Sequence, residues 1–186
     1  GENPEISPDF ARIINTKNWT RLVKMIDETK IIFGGKYNNE TNYLAPTLIE
    51  ENNLESLIMQ DEIFGPLLPI VTYHNESEID TIIAKYEKPL ALYVFSERNY
   101  FCDEIISKHS FGGGCINDTM VHFSNNKLPF GGVGHSGIGA YHGQLSFDVF
   151  SHHKAVVKKA TWIDLPLRYA PYKGKLTIVK KILNWL

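Results

Sequence analysis

The fold of this chain is decided by the stretch Met59-Gln60-Asp61-Glu62-Ile63-Phe64-Gly65-Pro66-Leu67-Leu68-Pro69-Ile70, which joins a carboxylate, a ring and a Gly-Pro turn to an apolar run. Gly65 and Pro66 predict a sharp bend before a strand. At such a bend Glu62 can accept two hydrogen bonds from the paired hydroxyls of a ribose, and Phe64 can pack against a flat heterocycle. The alternative is a core phenylalanine beside a solvated glutamate.

Strands and helices alternate after this bend. Apolar runs at residues 67–73, 91–95 and 114–117 predict strands, and the segments between them carry apolar residues at helical spacing. Asn75 or Ser77 is the predicted cap of the first of these helices, and Ser96 of the second. This alternation predicts an α/β fold with a largely parallel sheet and helices on both faces.

The region before the bend is less regular. Ser7-Pro8 predicts the start of a helix, because serine caps helices and proline is tolerated at their first position. Residues 30–33 predict a short strand ended by two glycines. Residues 43–49 predict a second extended segment, placed at a sheet edge because Pro46 interrupts it.

Composition excludes several classes of protein. The chain has 186 residues, 43% hydrophobic and 22% charged, which is typical of a soluble globular protein. A net charge of −2 gives no electrostatic reason to bind nucleic acid. Two cysteines argue against a disulfide scaffold and favour a reducing compartment, and the first residues show no signal pattern. We therefore expect a cytoplasmic protein, peripheral to a membrane at most.

The loop at residues 118–143 is rich in glycine and long enough to predict a functional role. Within it, Gly132-Val133-Gly134-His135-Ser136-Gly137 matches the G-x-G-x-x-G word of dinucleotide-binding loops. No strand directly precedes the word, and no acidic residue follows at the required spacing. The favoured interpretation is that its glycines permit left-handed turns and close backbone packing.

Several motifs together resemble one family. Glu62-Ile63-Phe64-Gly65-Pro66 closely resembles the cofactor-contacting motif of the aldehyde dehydrogenases. The other matching segments, in family order, are Gly1-Glu2-Asn3-Pro4, Ser7-Pro8-Asp9-Phe10, residues 88–95, Asn117-Asp118, Pro129-Phe130-Gly131-Gly132-Val133-Gly134, residues 136–143 and Ser146-Phe147-Asp148. The resemblance is to the class 3 branch, which includes the fatty aldehyde dehydrogenases, and to the C-terminal part alone.

The resemblance implies a function and a set of site residues. It implies an NAD(P)-dependent enzyme that oxidises medium-chain, long-chain or aromatic aldehydes to carboxylic acids through a cysteine thioester. Glu62 would accept the hydroxyls of the nicotinamide ribose, and Phe64 would pack near the nicotinamide ring. Asn117, His122 and Phe130 would line the aldehyde pocket, although His122 is equally interpreted as a packed loop histidine.

Neither cysteine is a candidate for the thioester nucleophile. Cys102 lies in a helical pattern beside two acids, which disfavour a thiolate, and Cys115 is interpreted as a small buried apolar residue. Neither matches the family's nucleophile motif. That motif and the one with the general base are expected upstream of Gly1, so no catalytic residue is assigned and the chain alone is expected to be inactive.

The resemblance also divides the chain. Residues 1–150 correspond to the C-terminal part of the catalytic domain, residues 151–160 to a bridging strand, and residues 161–186 to a tail. The strand from Lys154 to Lys159 would pair with a second subunit and give a homodimer, as unpaired strand edges favour. The spacing of the seven histidines matches no metal-binding motif.

The tail predicts a basic amphipathic helix. Its apolar face comprises Leu176, Val179, Leu183 and Leu186, widened by Ile178, Ile182 and Trp185, with Lys173, Lys180 and Asn184 opposite. It would lie on a membrane surface or over a tunnel mouth, and the alternative is an ordinary helix packed on its own domain. A non-catalytic binding or assembly module with such a tail is the alternative function.

Overall fold

A computed structural model describes residues 3–185 of the chain. The helices are α1 Thr16–Val23, α2 Glu76–Ala84, α3 Asn99–Lys108, α4 Val121–Ser124, α5 Gln144–Val149 and α6 Leu176–Leu183. The strands are β1 Ile31–Phe33, β2 Tyr37–Asn38, β3 Tyr43–Leu44, β4 Thr47–Glu50, β5 Leu67–Ile70, β6 Ala91–Val94 and β7 Gly113–Ile116. Short 3-10 turns at Glu28–Lys30, Leu57–Met59, Gly134–Ser136 and Pro166–Arg168 complete the described elements.

The strands form three hydrogen-bonded groups, in the orders β1-β4-β5, β2-β3 and β6-β7. The pairs β4–β5 and β6–β7 are parallel, with Thr47 opposite Leu67 and Tyr93 opposite Cys115. α3 makes the crossover from β6 to β7. The predicted α/β class with parallel strands is confirmed, while the pairs β1–β4 and β2–β3 are antiparallel.

The predicted helix start at Ser7-Pro8 is wrong. α1 begins at Thr16, and the side chain of Asn15 caps it by accepting a hydrogen bond from the backbone N–H of Asn18 at 2.9 Å. The backbone N–H of Ile13 donates to the carbonyl of Asn42 and so belongs to a loop contact. An extended chain tied to a neighbouring turn cannot make helical hydrogen bonds, which delays the helix.

The predicted sheet-edge position of residues 43–49 is wrong for its second half. β4 is the central strand of its sheet, and Thr47 and Ile49 are each 1% exposed. Pro46 lies between β3 and β4, so its missing N–H interrupts neither ladder.

One helix cap differs from the expected one, and a second holds the expected position without the expected side-chain hydrogen bond. Ser96 accepts a hydrogen bond from the N–H of Arg98, but α3 begins only at Asn99. Asn75 holds the cap position of α2 without a side-chain hydrogen bond to the helix backbone. Both expectations placed the helix start within a few residues.

Two apolar clusters form the core. The first contains Leu22, Met25, Leu44, Ile49, Ile58 and Leu67, and the second contains Val94, Cys102 and Ile105. Trp19 adds a buried hydrogen bond, because its indole N–H donates to the carbonyl of Tyr43 at 2.8 Å. The first cluster therefore joins α1 to the sheet that ends in β5, directly beside the bend.

One carboxylate is buried at the end of β4. Glu51 is 3% exposed and accepts hydrogen bonds from Lys30 Nζ at 3.0 and 3.1 Å and from the N–H of Asn53 at 2.9 Å. Burial is the largest influence and raises the pKa of Glu51, but the hydrogen bonds and charge of Lys30 outweigh it and hold the pKa below its ordinary value.

The glycine-rich loop contains α4, the turn Gly134–Ser136 and a β-bridge between Phe130 and Tyr141. A Cβ at Gly132 would lie 2.1 Å from the carbonyl oxygen of Ser136, and Gly134 has a φ of +66°. The interpretation of these glycines as positions of close packing and left-handed turns is confirmed.

The last part of the chain is exposed. No strand is assigned between residues 152 and 160 within the described chain, and Val156 and Val157 are 75% and 93% exposed. Lys175 anchors the start of α6 by donating to the carbonyls of Pro166 and Tyr169. Among residues 3–185, no helix combines the length and apolar character that a bilayer crossing requires. The boundaries at residues 150 and 160 stay predictions.

Most of the apolar face of α6 is exposed. Leu176, Ile178, Ile182, Leu183 and Trp185 are between 48% and 90% exposed. Val179 of the predicted face is half-buried, and the ordinary docked helix stays an alternative. Leu186 of the predicted face, and Gly1-Glu2 of the first matching segment, lie outside the described residues.

Candidate functional site

The bend before β5 presents an aromatic ring to solvent. Phe64 has a φ of +47°, in the left-handed region that side chains other than glycine and asparagine rarely adopt. Its ring is 77% exposed, and Glu62 is exposed beside it. Strained backbone and an exposed aromatic ring both occur preferentially where a protein binds a ligand. The alternative that places Phe64 in the core is wrong.

Helix α1 holds this bend in place through Arg21 and Leu22. Arg21 Nη2 donates a hydrogen bond to the carbonyl oxygen of Ile63, the residue between Glu62 and Phe64, at 2.5 Å. Gly65 packs against Leu22 so closely that a Cβ would lie 2.5 Å from Leu22 Cδ1. The carboxylate and the ring are therefore carried by a turn clamped to a helix that is anchored in the core by Trp19 and Leu22.

Glu62 and Phe64 face a common cleft of about 530 Å³. Its lining is Arg12, Ile13, Ile14, Asn18, Arg21, Asp61, Glu62 and Phe64. A second hollow of about 420 Å³ lies against the same turn and is lined by residues of the 57–59 turn, Pro69 and Tyr86. The cleft combines carboxylate acceptors, guanidinium donors and an exposed ring, which suits a ligand with hydroxyl groups and a flat heterocycle.

His122 and Phe130 meet in a second group of rings. We define the aromatic cluster as Tyr93, His122, Phe123, Phe130 and Tyr141. The ring centroids of His122 and Phe130 are 6.5 Å apart, and those of Phe130 and Tyr141 are 6.0 Å apart at 90°. The bridge between Phe130 and Tyr141 holds this cluster against α4 and the β6–β7 pair.

The side chain of Asn117 forms hydrogen bonds with the backbone of Ser96. Its Oδ1 accepts from the N–H of Ser96 at 2.8 Å, and its Nδ2 donates to the carbonyl of Ser96 at 2.9 Å. Both polar groups of this side chain are therefore used to tie the end of β7 to the end of β6. This geometry gives Asn117 a role in shaping the sheet edge beside the predicted pocket.

Both cysteines are free thiols. Cys102 is 2% exposed in the second core cluster, and its thiol donates to the carbonyl of Ser96. Cys115 is half-buried, and its Sγ lies 3.5 Å from Nδ1 of His122, so the interpretation of Cys115 as a buried apolar residue is wrong. Within residues 3–185, no group of three or more His, Cys, Asp and Glu side chains is placed to bind a metal ion.

Sequence reasoning missed Arg21 and the contact between Cys115 and His122. Arg21 lies among the polar residues of α1, where helical spacing marks Trp19, Leu22 and Val23 as apolar positions, and the structure buries Trp19 and Leu22. The cysteine and histidine are joined by the turn into α4, whose geometry no motif predicts. The one signal that could have pointed to Arg21 is its side chain, a hydrogen-bond donor directly beside Leu22, which packs against the bend.

Parallel strand pairs, the crossover helix α3 and a cleft beside a clamped bend define the chain as an α/β protein with a candidate ligand cleft. Residues 3–156 match the model of the aldehyde dehydrogenase family. The chain belongs to the aldehyde dehydrogenase family.

Two relatives and one solved structure illustrate the match. The chain is 50% identical over 173 residues to aldehyde dehydrogenase family 3 member A2 of Mus musculus, covering 92% of this chain and 36% of that protein. It is 46% identical over 182 residues to 4,4'-diaponeurosporen-aldehyde dehydrogenase of Staphylococcus aureus (strain NCTC 8325 / PS 47), covering 97% and 40%. It superposes on the substrate-bound state of Staphylococcus aureus AldH with a TM-score of 0.91 at 45% identity, again covering 97% and 40%. The chain thus spans well under half the length of these relatives.

Proposed function

We propose that this chain is the part of an NAD(P)-dependent aldehyde dehydrogenase that holds the nicotinamide end of the cofactor and forms one wall of the aldehyde pocket. The observation that carries the proposal is the exposed pair of Glu62 and Phe64 on a bend fixed by α1. Membership of the family and the match of the bend to its cofactor-contacting motif support it.

The two side chains have distinct roles in this proposal. The carboxylate of Glu62 accepts hydrogen bonds from the two ribose hydroxyls, which fixes the sugar. The ring of Phe64 packs beside the nicotinamide and limits its rotation. The bound cofactor would supply the hydride acceptor, and a correct orientation of that acceptor lowers the barrier by removing orientational freedom.

The remaining groups of the reaction belong to the part of the relatives that this chain does not span. A cysteine thiolate attacks the aldehyde carbonyl, hydride leaves, and a water activated by a glutamate cleaves the thioester. Cys102 is buried and Cys115 lies beside His122, so neither is assigned the nucleophile. We expect no aldehyde-dependent NADH formation by the 186 residues alone.

The aromatic cluster supports an apolar aldehyde as substrate. The ring of Phe130 packs with the rings of His122, Phe123 and Tyr141, so the predicted pocket wall offers ring faces and few charges. The name of the Staphylococcus aureus relative gives it an aldehyde, 4,4'-diaponeurosporen-aldehyde, as substrate. Medium-chain, long-chain or aromatic aldehydes are the proposed substrates here.

Substitution of Glu62 tests the cofactor role. The test uses a polypeptide that contains this chain together with the region of the relatives that it lacks. We expect Glu62→Gln to weaken cofactor binding and slow hydride transfer at least roughly tenfold, because the amide offers one acceptor oxygen in place of two. Asp61→Asn removes a neighbouring charge from the same cleft and is the matched control. Unchanged cofactor affinity and hydride-transfer rate in Glu62→Gln would remove the proposed role.

Exposure of the α6 face favours a second function, attachment to a membrane surface. Ile178, Ile182 and Trp185 are exposed by 50%, 48% and 90%, and α6 also carries Lys180 and Lys181. Apolar burial in the interface together with lysines near anionic lipid predicts reversible binding. Sedimentation with phosphatidylserine vesicles should be lost in the Ile178→Ser/Ile182→Ser variant and kept in Asn184→Ser. Equal sedimentation of the two variants would reject surface attachment.

A further inference from the structure

Cys115 and His122 form a thiol–imidazole pair outside the predicted cofactor cleft. Cys115 lies in β7 directly opposite Tyr93 in β6, so their side chains stand on the same face of the parallel pair. The imidazole of His122 covers that face. Its ring centroid is 5.7 Å from that of Tyr93, and its Nδ1 is 3.5 Å from the Sγ of Cys115.

Packing fixes the imidazole in this position. A Cβ at Gly113 would lie 2.8 Å from Cδ2 of His122, so the ring rests on a site that only glycine leaves open. Nε2 of His122 is buried and has no hydrogen-bond partner among the described residues. With the proton on Nε2, the lone pair of Nδ1 faces the thiol and can accept its proton.

The two cysteines of the chain therefore differ in chemistry. Cys102 is 2% exposed and its thiol faces a backbone carbonyl, which cannot take up a proton. Cys115 is half-buried and faces a base. A thiol becomes a nucleophile by losing its proton, so an adjacent imidazole favours reaction at Cys115.

We propose that Cys115 is a covalent modification site for soft electrophiles, in particular α,β-unsaturated aldehydes, with His122 as the base. The choice of aldehyde rests on the proposed function, because His122 also contacts Phe130 of the predicted aldehyde pocket. The proposed reactivity of the Cys115 thiol rests only on the geometry of the Cys115–His122 pair.

The reaction is an addition with no redox change. The thiol proton passes to Nδ1 of His122, and the sulfur lone pair forms a bond to the β-carbon of the alkenal. The carbon–carbon π pair moves to the α-carbon, which then takes the proton back from His122. The product is a thioether that keeps the aldehyde, and every atom of both reactants is retained.

The adduct would occupy space beside Phe130. A saturated aldehyde has no β-carbon electrophile, so its carbonyl forms only a reversible hemithioacetal with a thiol and leaves no stable adduct on Cys115. Two aldehydes of equal length should therefore differ in their effect on Cys115. The 2-alkenal should form a stable adduct, and the alkanal should not.

Mass spectrometry of the folded 186-residue chain tests the proposal. The chain is treated at pH 7.4 with iodoacetamide, trans-2-hexenal or hexanal, and labelling of the two cysteines is followed in time. We expect iodoacetamide and trans-2-hexenal to label Cys115 at least roughly tenfold faster than Cys102, as a positioned base provides. Hexanal should label neither, and urea should equalise the two cysteines.

Variants separate the base from simple exposure. His122→Phe keeps a ring over Gly113 and should slow labelling of Cys115 roughly tenfold, whereas His135→Phe, which removes an exposed imidazole of the same loop outside the aromatic cluster, is the matched control and should not. Equal labelling of the two native cysteines, or an unchanged rate in a folded His122→Phe, overturns the proposal. If His122→Phe does not fold, the native chain decides: faster labelling of Cys115 in the folded chain than in urea supports the base, because burial alone only slows labelling, and slower labelling in the folded chain overturns the proposal. Because the readout is adduct mass, its failure leaves the cofactor role of Glu62 untouched.

Discussion

At the scale of single residues, the conformation of Phe64 links strain to binding. A phenylalanine with a φ of +47° costs free energy, and its ring is too exposed to recover that energy by burial. Such a residue is retained where its side chain meets a ligand. The bend therefore trades stability of the chain for an accessible ring.

Phe64→Asn tests this trade. Asparagine adopts left-handed backbone more readily than phenylalanine, and little buried area is lost. We expect the free energy of unfolding in urea to rise or to fall by less than about 0.5 kcal/mol. Leu67→Asn, three residues on and 5% exposed, should cost several times more. A large loss in Phe64→Asn would mean that the ring stabilises the fold.

Asn117 offers a second test at this scale, because its backbone and side chain act separately. Its φ is +56°, and its side chain makes two hydrogen bonds to Ser96. Asn117→Gly removes only the hydrogen bonds and should cost about 1–2 kcal/mol in urea unfolding. Asn117→Ala adds backbone strain and should cost about 1 kcal/mol more. Equal losses would show that strain at this position contributes nothing.

At the scale of elements, the contact between Lys30 and Glu51 ties the start of β1 to the end of β4. The pKa of Glu51 is below its ordinary value of 4.5. A depressed carboxyl pKa stabilises the fold above the unfolded value and loses that contribution as the pH falls through the folded value. This contact should therefore weaken only in acid, below about pH 4.5.

Glu51→Gln tests this contact. The substitution should lower the free energy of unfolding by roughly 1–3 kcal/mol at pH 7, because the neutral amide loses the charge-assisted bonds. The difference from the parent should shrink in urea unfolding at pH 3.5. Glu50→Gln, at the exposed neighbouring position, is the control and should change little. A difference that is the same at both pH values would contradict the pKa argument.

At the scale of the whole molecule, the segment after α5 is exposed within the described residues. Residues 152–160 make no strand within the described chain, and Val157 is 93% exposed. The proposed homodimer would pair the strand from Lys154 to Lys159 with the sheet of a second subunit. Pairing would satisfy its free backbone groups and cover its valines.

Sedimentation equilibrium of the chain tests this pairing. Val157→Pro removes a backbone donor and should weaken self-association at least roughly tenfold, about 1.4 kcal/mol. Val157→Thr keeps the donor and the β-branched shape and should leave self-association unchanged. A parent chain that is monomeric at high concentration would contradict the proposed pairing.

Much of the fold follows from local pattern. The spacing of apolar residues and the glycine-proline turns predicted the bounds of β5, β6, β7, α2 and α3 to within a few residues. Both signals act between near neighbours in the chain. The start of α1 and the central position of β4 were missed, because the contacts of Ile13 with Asn42 and of β4 with both β1 and β5 join distant parts of the chain.

The sequence by itself determined the α/β class, the family and the pairing of Glu62 with Phe64 on a bend, since each depends on residues a few positions apart. Only the tertiary structure decided that Phe64 faces a cleft, that Arg21 clamps the carbonyl of Ile63, and that Cys115 meets His122. Those contacts depend on how helices and turns pack in space. Packing is set by the whole core, and no short motif encodes it.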